Sequence, residues 1–224
     1  MADSRLDSVR QSIRAACAKA GRSPADVTLV AVTKTHEVDD IAPLIAAGQR
    51  DFGESRVQEA TSKWPALRAA TPDIRLHMIG RLQSNKADEA VALFDVIHSL
   101  DRPSLLDALV DAGAKAGKFP ACFVQVNVGM EDQKGGVAPA DVGTFLASVR
   151  NSPLPFAGLM CIPPAALEPA PFFAFLAELA RRHDVVGASA GLSMGMSADY
   201  ATAVMLGATH VRVGTALFGD RARP

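Results

Sequence analysis

The sequence has little of what marks several common classes of protein. It has three cysteines in 224 residues, Cys17, Cys122 and Cys161, with no C-x-x-C spacing. That excludes a zinc ribbon or a thioredoxin-type motif and predicts reduced, buried thiols. It has no excess of one charge: 23 Lys+Arg stand against 24 Asp+Glu, a formal net charge of −1. A nucleic-acid binder that relies on a basic surface is therefore not expected. It has no apolar run of about 18 residues that would span a membrane. The richest stretch, 156–180, is broken by Pro163, Pro164, Pro169 and Pro171. The N-terminus carries charges every few residues and has no apolar core of a secretory signal. These absences predict a cytoplasmic protein without nucleic-acid or membrane partners. With 49% apolar and 21% charged residues, the chain also lacks the composition of a disordered one.

No Pro- or Ser-rich linker divides the chain, so one domain over 1–224 is expected. An amphipathic helix is predicted near 3–20, with Leu6, Val9, Ile13, Ala16, Cys17 and Ala20 on one face and Asp3 or Ser4 as cap. A buried strand follows at 27–32. Helical patterns then fall near 38–47, 54–70, 83–94, 102–117, 138–150, 170–183 and 197–207. Strand-like runs lie near 50–53, 75–79, 95–99, 121–128, 155–160, 185–190 and 209–214. Pro43 requires its helix to begin around Asp39 or Asp40, so that the missing N–H falls in the first turn. Ser197 is the expected N-cap of the last helix. Eight alternating β and α units imply a parallel sheet covered by helices. The fold class predicted is α/β, a single (β/α)8 TIM barrel over about 27–219 with an extra N-terminal helix. An open doubly wound sheet is the alternative.

Barrels place chemistry at the C-terminal ends of their strands. Lys34 directly follows the apolar run Leu29-Val30-Ala31-Val32-Thr33. Partial burial of a lysine favours the neutral amine, a nucleophile toward carbonyls; the bland alternative is a solvated lysine just past a strand. Gly191-Leu192-Ser193-Met194-Gly195-Met196-Ser197 precedes the last helix, and Arg212-Val213-Gly214-Thr215 ends the eighth strand. Small residues there expose backbone N–H groups, and loops after strands 7 and 8 frequently hold phosphate. There is no P-loop motif and no G-x-G-x-x-G after the first strand. An imine-forming lysine beside a phosphate cradle fits either a Schiff-base aldolase or a pyridoxal 5′-phosphate (PLP) protein.

The stretches AVTKTHE around Lys34, DFGESRVQE, HMIGRLQSNK, VQVNVGMEDQKGG, GLMCIPP, GLSMGMSADY and VRVGTALFG resemble the pyridoxal phosphate homeostasis protein family, over about 27–219. The resemblance implies a barrel like the N-terminal domain of alanine racemase. It implies a protein that buffers or delivers PLP, held as a Schiff base on Lys34. It further implies that Ser193, the Met194–Gly195 backbone, Gly214 and Thr215 hold the phosphate and that Arg212 lies near the pyridine nitrogen. PLP-dependent apoenzymes are the implied recipients. Ser55 departs from the family, which usually has asparagine there; a shorter side chain reaches the ring less readily. A racemase-like enzyme is the alternative, but two-base racemisation needs a second acid or base on the opposite face, and the sole tyrosine, Tyr200, is not in that context. A monomer is expected. His77, Gln83, Asn85 and Lys86 form a polar group near the end of the third strand, read as a helix cap and a satisfied histidine or as a second ligand or partner surface. The other histidines show no metal-site spacing.

Overall fold

The computed structural model describes residues 2–185 and 190–219. Eight strands run β1 (Thr28–Val32), β2 (Asp51–Glu54), β3 (Arg75–Met78), β4 (Val96–Leu100), β5 (Ala121–Gln125), β6 (Phe156–Met160), β7 (Gly191–Met196) and β8 (His210–Val213). All neighbours pair in parallel and in chain order, and β8 returns to β1, with Thr28 opposite His210 and Ala31 opposite Val213. That closing pair excludes the open sheet. Parallel neighbours need a crossover, and α2 (Val38–Ala46), α3 (Val57–Ala70), α4 (Ala87–Leu93), α5 (Pro103–Ala116), α6 (Val142–Arg150), α7 (Ala170–Arg182) and α8 (Tyr200–Met205) supply the helical cover. A short α9 (Thr215–Phe218) follows β8.

Local sequence explains the clearest helices. α5 opens with Pro103, whose missing N–H falls where no intrahelical bond is needed. It buries Leu105, Leu106, Leu109 and Ala112, and stops at Gly117 in the left-handed conformation (φ 64°). The N-terminal helix α1 (Ala2–Lys19) packs on α2, α8 and α9 through Leu6, Val9, Ile13, Ala16 and Cys17, all buried. Since the helix already begins at Ala2, Asp3 and Ser4 lie within it rather than capping it.

Strand side chains alternate between the helix-facing core and the barrel lumen. Val211 and Val213 of β8 join the large core under the helices, while His210 and Arg212 point inward. On one side the lumen is apolar, with Val96, Phe123 and Met160 packed together. On the other it is polar, and this asymmetry organises the site.

Three expectations are corrected. The seventh strand was expected at 185–190; residues 186–189 lie outside the described residues, and the strand is Gly191–Met196. Pro43 is the sixth residue of α2, in its second turn rather than its first. β5 ends at Gln125, and Val126 instead bridges to Val137. No described helix is long and apolar enough to cross a membrane.

Candidate functional site

A cavity of about 360 Å³ opens at the C-terminal ends of the strands. Lys34 from the end of β1, Ser55 after β2, Arg212 from β8, and Gly214 and Thr215 beyond it all line this cavity. His36, Ser197 and the apolar Ile79 and Ile162 complete its polar and flat walls.

The turn that carries Lys34 is clamped from below. Thr33 is buried, and its hydroxyl donates to Glu54 Oε1 at 2.7 Å. The Lys63 ammonium donates to the carbonyls of Thr33 (2.9 Å) and His36 (3.1 Å). It also pairs with Glu54 at 2.8 Å and Glu59 at 2.9 Å. Glu59 accepts the N–H of Thr35, a residue in the left-handed region at φ 65°. Burial pushes the Glu59 carboxyl up, but the Lys63 and Thr35 hydrogen bonds outweigh it and hold it below its ordinary value. The Lys34 amine, by contrast, has no hydrogen bond or ion pair among the described residues. A rigid turn therefore presents an unengaged amine to the cavity.

On β8, the strand that pairs with β1, Arg212 is buried. It donates to Ser193 Oγ at 2.5 Å and to the Cys161 carbonyl at 2.9 Å. Burial lowers the guanidinium from its ordinary value, against the opposing charge of Asp199. At the third corner Ser197 Oγ accepts the N–H groups of Gly214 (3.1 Å) and Ala216 (3.3 Å). Ser197 thus knits the two loops together instead of capping α8, whose N-cap position is Asp199. Gly214 is tightly placed, since a Cβ there would lie 3.3 Å from Val32 Cβ.

Five of the predicted residues, Lys34, Ser55, Arg212, Gly214 and Thr215, share this cavity; three do not. Ser193 is fully buried and turned into the lumen, bonded to Arg212 and to His98 Nδ1 at 2.8 Å. Met194 is packed in the core under the helices. Gly195 (φ +93°) sits where the β7–β8 register slips between Ser193 and Met196, and a Cβ there would lie 2.6 Å from Ala203 Cβ. Its glycine serves a bulge and the approach of α8. The physical reason for the difference is the strand shift: read as a loop, these residues face a ligand, but within a strand they alternate.

The polar group expected around His77 is split as well. His77 lies in the lumen, whereas Lys86 pairs with Glu89 on the outer surface. Sequence reasoning missed Ser197 as a cavity residue and the Glu54–Lys63–Glu59 clamp. For the clamp a signal existed: Glu59 and Lys63 are spaced i, i+4 on one helix. No described group of His, Cys, Asp and Glu could hold a metal ion.

The set tests well against a phosphorylated aldehyde with a flat ring. It offers one unengaged amine, apolar walls from Ile79 and Ile162, a cation at one edge, and hydroxyl and glycine groups at the β7–β8 end.

Comparison with known proteins shows the family and the fold. The family described as "Alanine racemase, N-terminal domain" matches residues 4–222. A pyridoxal phosphate homeostasis protein of Aquifex aeolicus is 38% identical over 97% of both chains. One of Pseudomonas aeruginosa is 42% identical, covering 95% of this chain and 93% of its own. The structure of PipY from Synechococcus elongatus with PLP bound superposes with a TM-score of 0.82 at 38% identity, covering 98% of this chain and all of that one. An alanine racemase of Clostridium difficile, 15% identical with a TM-score of 0.65, shares the fold; this chain spans 56% of its length. The chain belongs to the pyridoxal phosphate homeostasis protein family, built on the alanine racemase N-terminal domain.

Proposed function

We propose that this protein binds pyridoxal 5′-phosphate at Lys34 and serves PLP homeostasis by holding and releasing the cofactor. The observation that carries this reading is the unengaged Lys34 amine on a clamped turn, facing a cavity that the buried Arg212 also lines. When bound, the cofactor supplies an aldehyde that condenses with the amine and a ring that can withdraw electrons from a substrate carbon.

The chain's own residues decide how much of that chemistry is used. Lys34 anchors. Ser197, Gly214 and Thr215 suit the phosphate end, where backbone N–H and hydroxyl donors converge. Ser55 is short and suits a water-mediated contact. Arg212 keeps a cation at the ring-nitrogen edge, which disfavours protonation there and weakens the ring as an electron sink. Tyr200 is not among the cavity residues, so it is not placed to act as a racemase's second acid or base. The site retains the cofactor and activates it poorly. The chain acts as a single domain and a monomer in the cytoplasm, and PLP-dependent apoenzymes are the recipients.

Protein mixed with PLP should keep a visible absorption band through gel filtration, and Lys34→Ala should lose it. A Lys34→Ala protein that retains the band overturns the assignment. Alanine racemisation at about 1 s⁻¹ or faster contradicts the holding role.

A further inference from the structure

The barrel lumen holds a chain of polar side chains that the binding reading leaves unused. From Arg212 Nη1 it runs to Ser193 Oγ (2.5 Å), then to His98 Nδ1 (2.8 Å). From His98 Nε2 it continues to His77 Nδ1 (2.9 Å), and from His77 Nε2 to Asp51 Oδ1 (3.0 Å). Asp51 begins β2 at the far end of the barrel from the cavity, where Arg75 pairs with it at 2.7 Å. His77, His98 and Ser193 are fully buried. We propose that Ser193, His98, His77 and Asp51 are positioning residues, a one-way hydrogen-bond relay that fixes Arg212 at the ring-nitrogen edge of the cofactor site and links it to a carboxylate at the opposite end of the barrel. The proposal rests on the reading of the cavity as a PLP site.

The direction of the relay follows from donor counting. Arg212 can only donate, so Ser193 Oγ accepts from it. The remaining hydroxyl proton has His98 Nδ1 as its acceptor, and leaving it unspent at this buried position is costly. His98 then carries its proton on Nε2 and donates to His77 Nδ1. His77 in turn carries its proton on Nε2 and donates to Asp51. One tautomer of each ring satisfies every bond, and all donors point from the cation to the anion. Burial first, then the closeness of His77, His210 and the Arg212 cation, hold His98 well below its ordinary value, which agrees with a neutral ring. Phe123 stacks on the His98 ring at 4.6 Å and His210 meets it edge-on at 6.0 Å. The arrangement also answers an electrostatic question: Arg212 is buried and forms no ion pair among the described residues, and a buried cation needs compensation. The Asp199 carboxylate acts on Arg212 through space, and the polarised chain adds the influence of Asp51.

Asp51→Asn is the decisive variant, because it keeps the shape, removes the charge and cannot touch the cavity. Asp73→Asn, an exposed partner of Arg50 on the same end of the barrel, is the control. In the wild-type protein without PLP, ¹⁵N NMR should show His98 as the neutral Nε2–H tautomer, with a proton of His77 on Nε2. Asp51→Asn should disturb that tautomer state, and the PLP-loaded variant should show a shifted pH midpoint of its absorption band and about tenfold faster loss of cofactor, the size expected for altering a charged hydrogen-bond chain. Asp73→Asn should match wild type in both. A wild-type His98 that carries its proton on Nδ1, or an Asp51→Asn protein indistinguishable from Asp73→Asn, would overturn the relay. A wild type that takes up no PLP defeats the reading of the cavity instead, and the ring signals then still decide the relay.

Discussion

Lys63 is 7% exposed and Glu54 is not exposed at all, so the pair beneath Lys34 is a charge cluster in the core rather than a surface ornament. Removing one partner leaves the other uncompensated. Lys63→Met should therefore destabilise the protein by about 3–5 kcal/mol, read from urea unfolding, and Lys63→Met with Glu54→Gln should recover much of the loss. A single variant as stable as wild type contradicts the clamp. Residue by residue, Lys34 was legible because a lysine rarely ends a buried apolar run without a reason. Arg212, Gly214 and Thr215 were legible because strand-8 ends carry ligand groups in barrels. Ser193 was placed on the wrong wall, because chemistry alone does not say which way a hydroxyl points. The interior histidines were visible as residues, but their hydrogen-bond order exists only once strands far apart in sequence face one lumen.

At the scale of the element, β7 is the least regular piece. Its sequence, Gly-Leu-Ser-Met-Gly-Met, lacks the β-branched residues that mark strands, and its tight packing against α8 is invisible in one dimension. The other strands showed themselves as short apolar runs between helical patterns. The bulge gives a direct comparison of two glycines with positive φ. Gly195→Ala meets both a left-handed backbone and a contact at 2.6 Å, whereas a Cβ at Gly21 (φ +64°) meets nothing within 4 Å. Gly21→Ala should cost about 1–2 kcal/mol. Gly195→Ala should cost clearly more in thermal or urea unfolding and should also loosen the β7–β8 end of the cavity. Equal costs would mean that α8 gives way freely.

At the scale of the whole molecule, the polar lumen makes stability depend on pH. Burial lowers His98 well below, and His210 to about 3 from, an ordinary value of 6.5. The unfolded chain takes up protons at these sites near 6.5 while the folded one refuses them, so stability is full above about pH 6.5 and falls as pH drops toward 3. Asp51 adds to the loss at the acid end. Burial raises its carboxyl, but the His77 and Arg75 contacts hold it below 3.8, and that contribution disappears as pH falls through and below this value. Urea midpoints should decline from pH 7 to 4; a flat profile contradicts a neutral buried lumen. The thiols report the same core, because burial pushes Cys122 and Cys161 up to about 12. Both should stay unreactive to a thiol reagent at pH 8 until the protein unfolds.

Peptide mapping after borohydride reduction of the PLP-loaded protein identifies which lysine carries the cofactor, proposed here to be Lys34. One pyridoxyl adduct is expected, on the peptide containing Lys34. An adduct confined to another lysine, or no adduct from a protein that retains its visible band, would contradict that assignment.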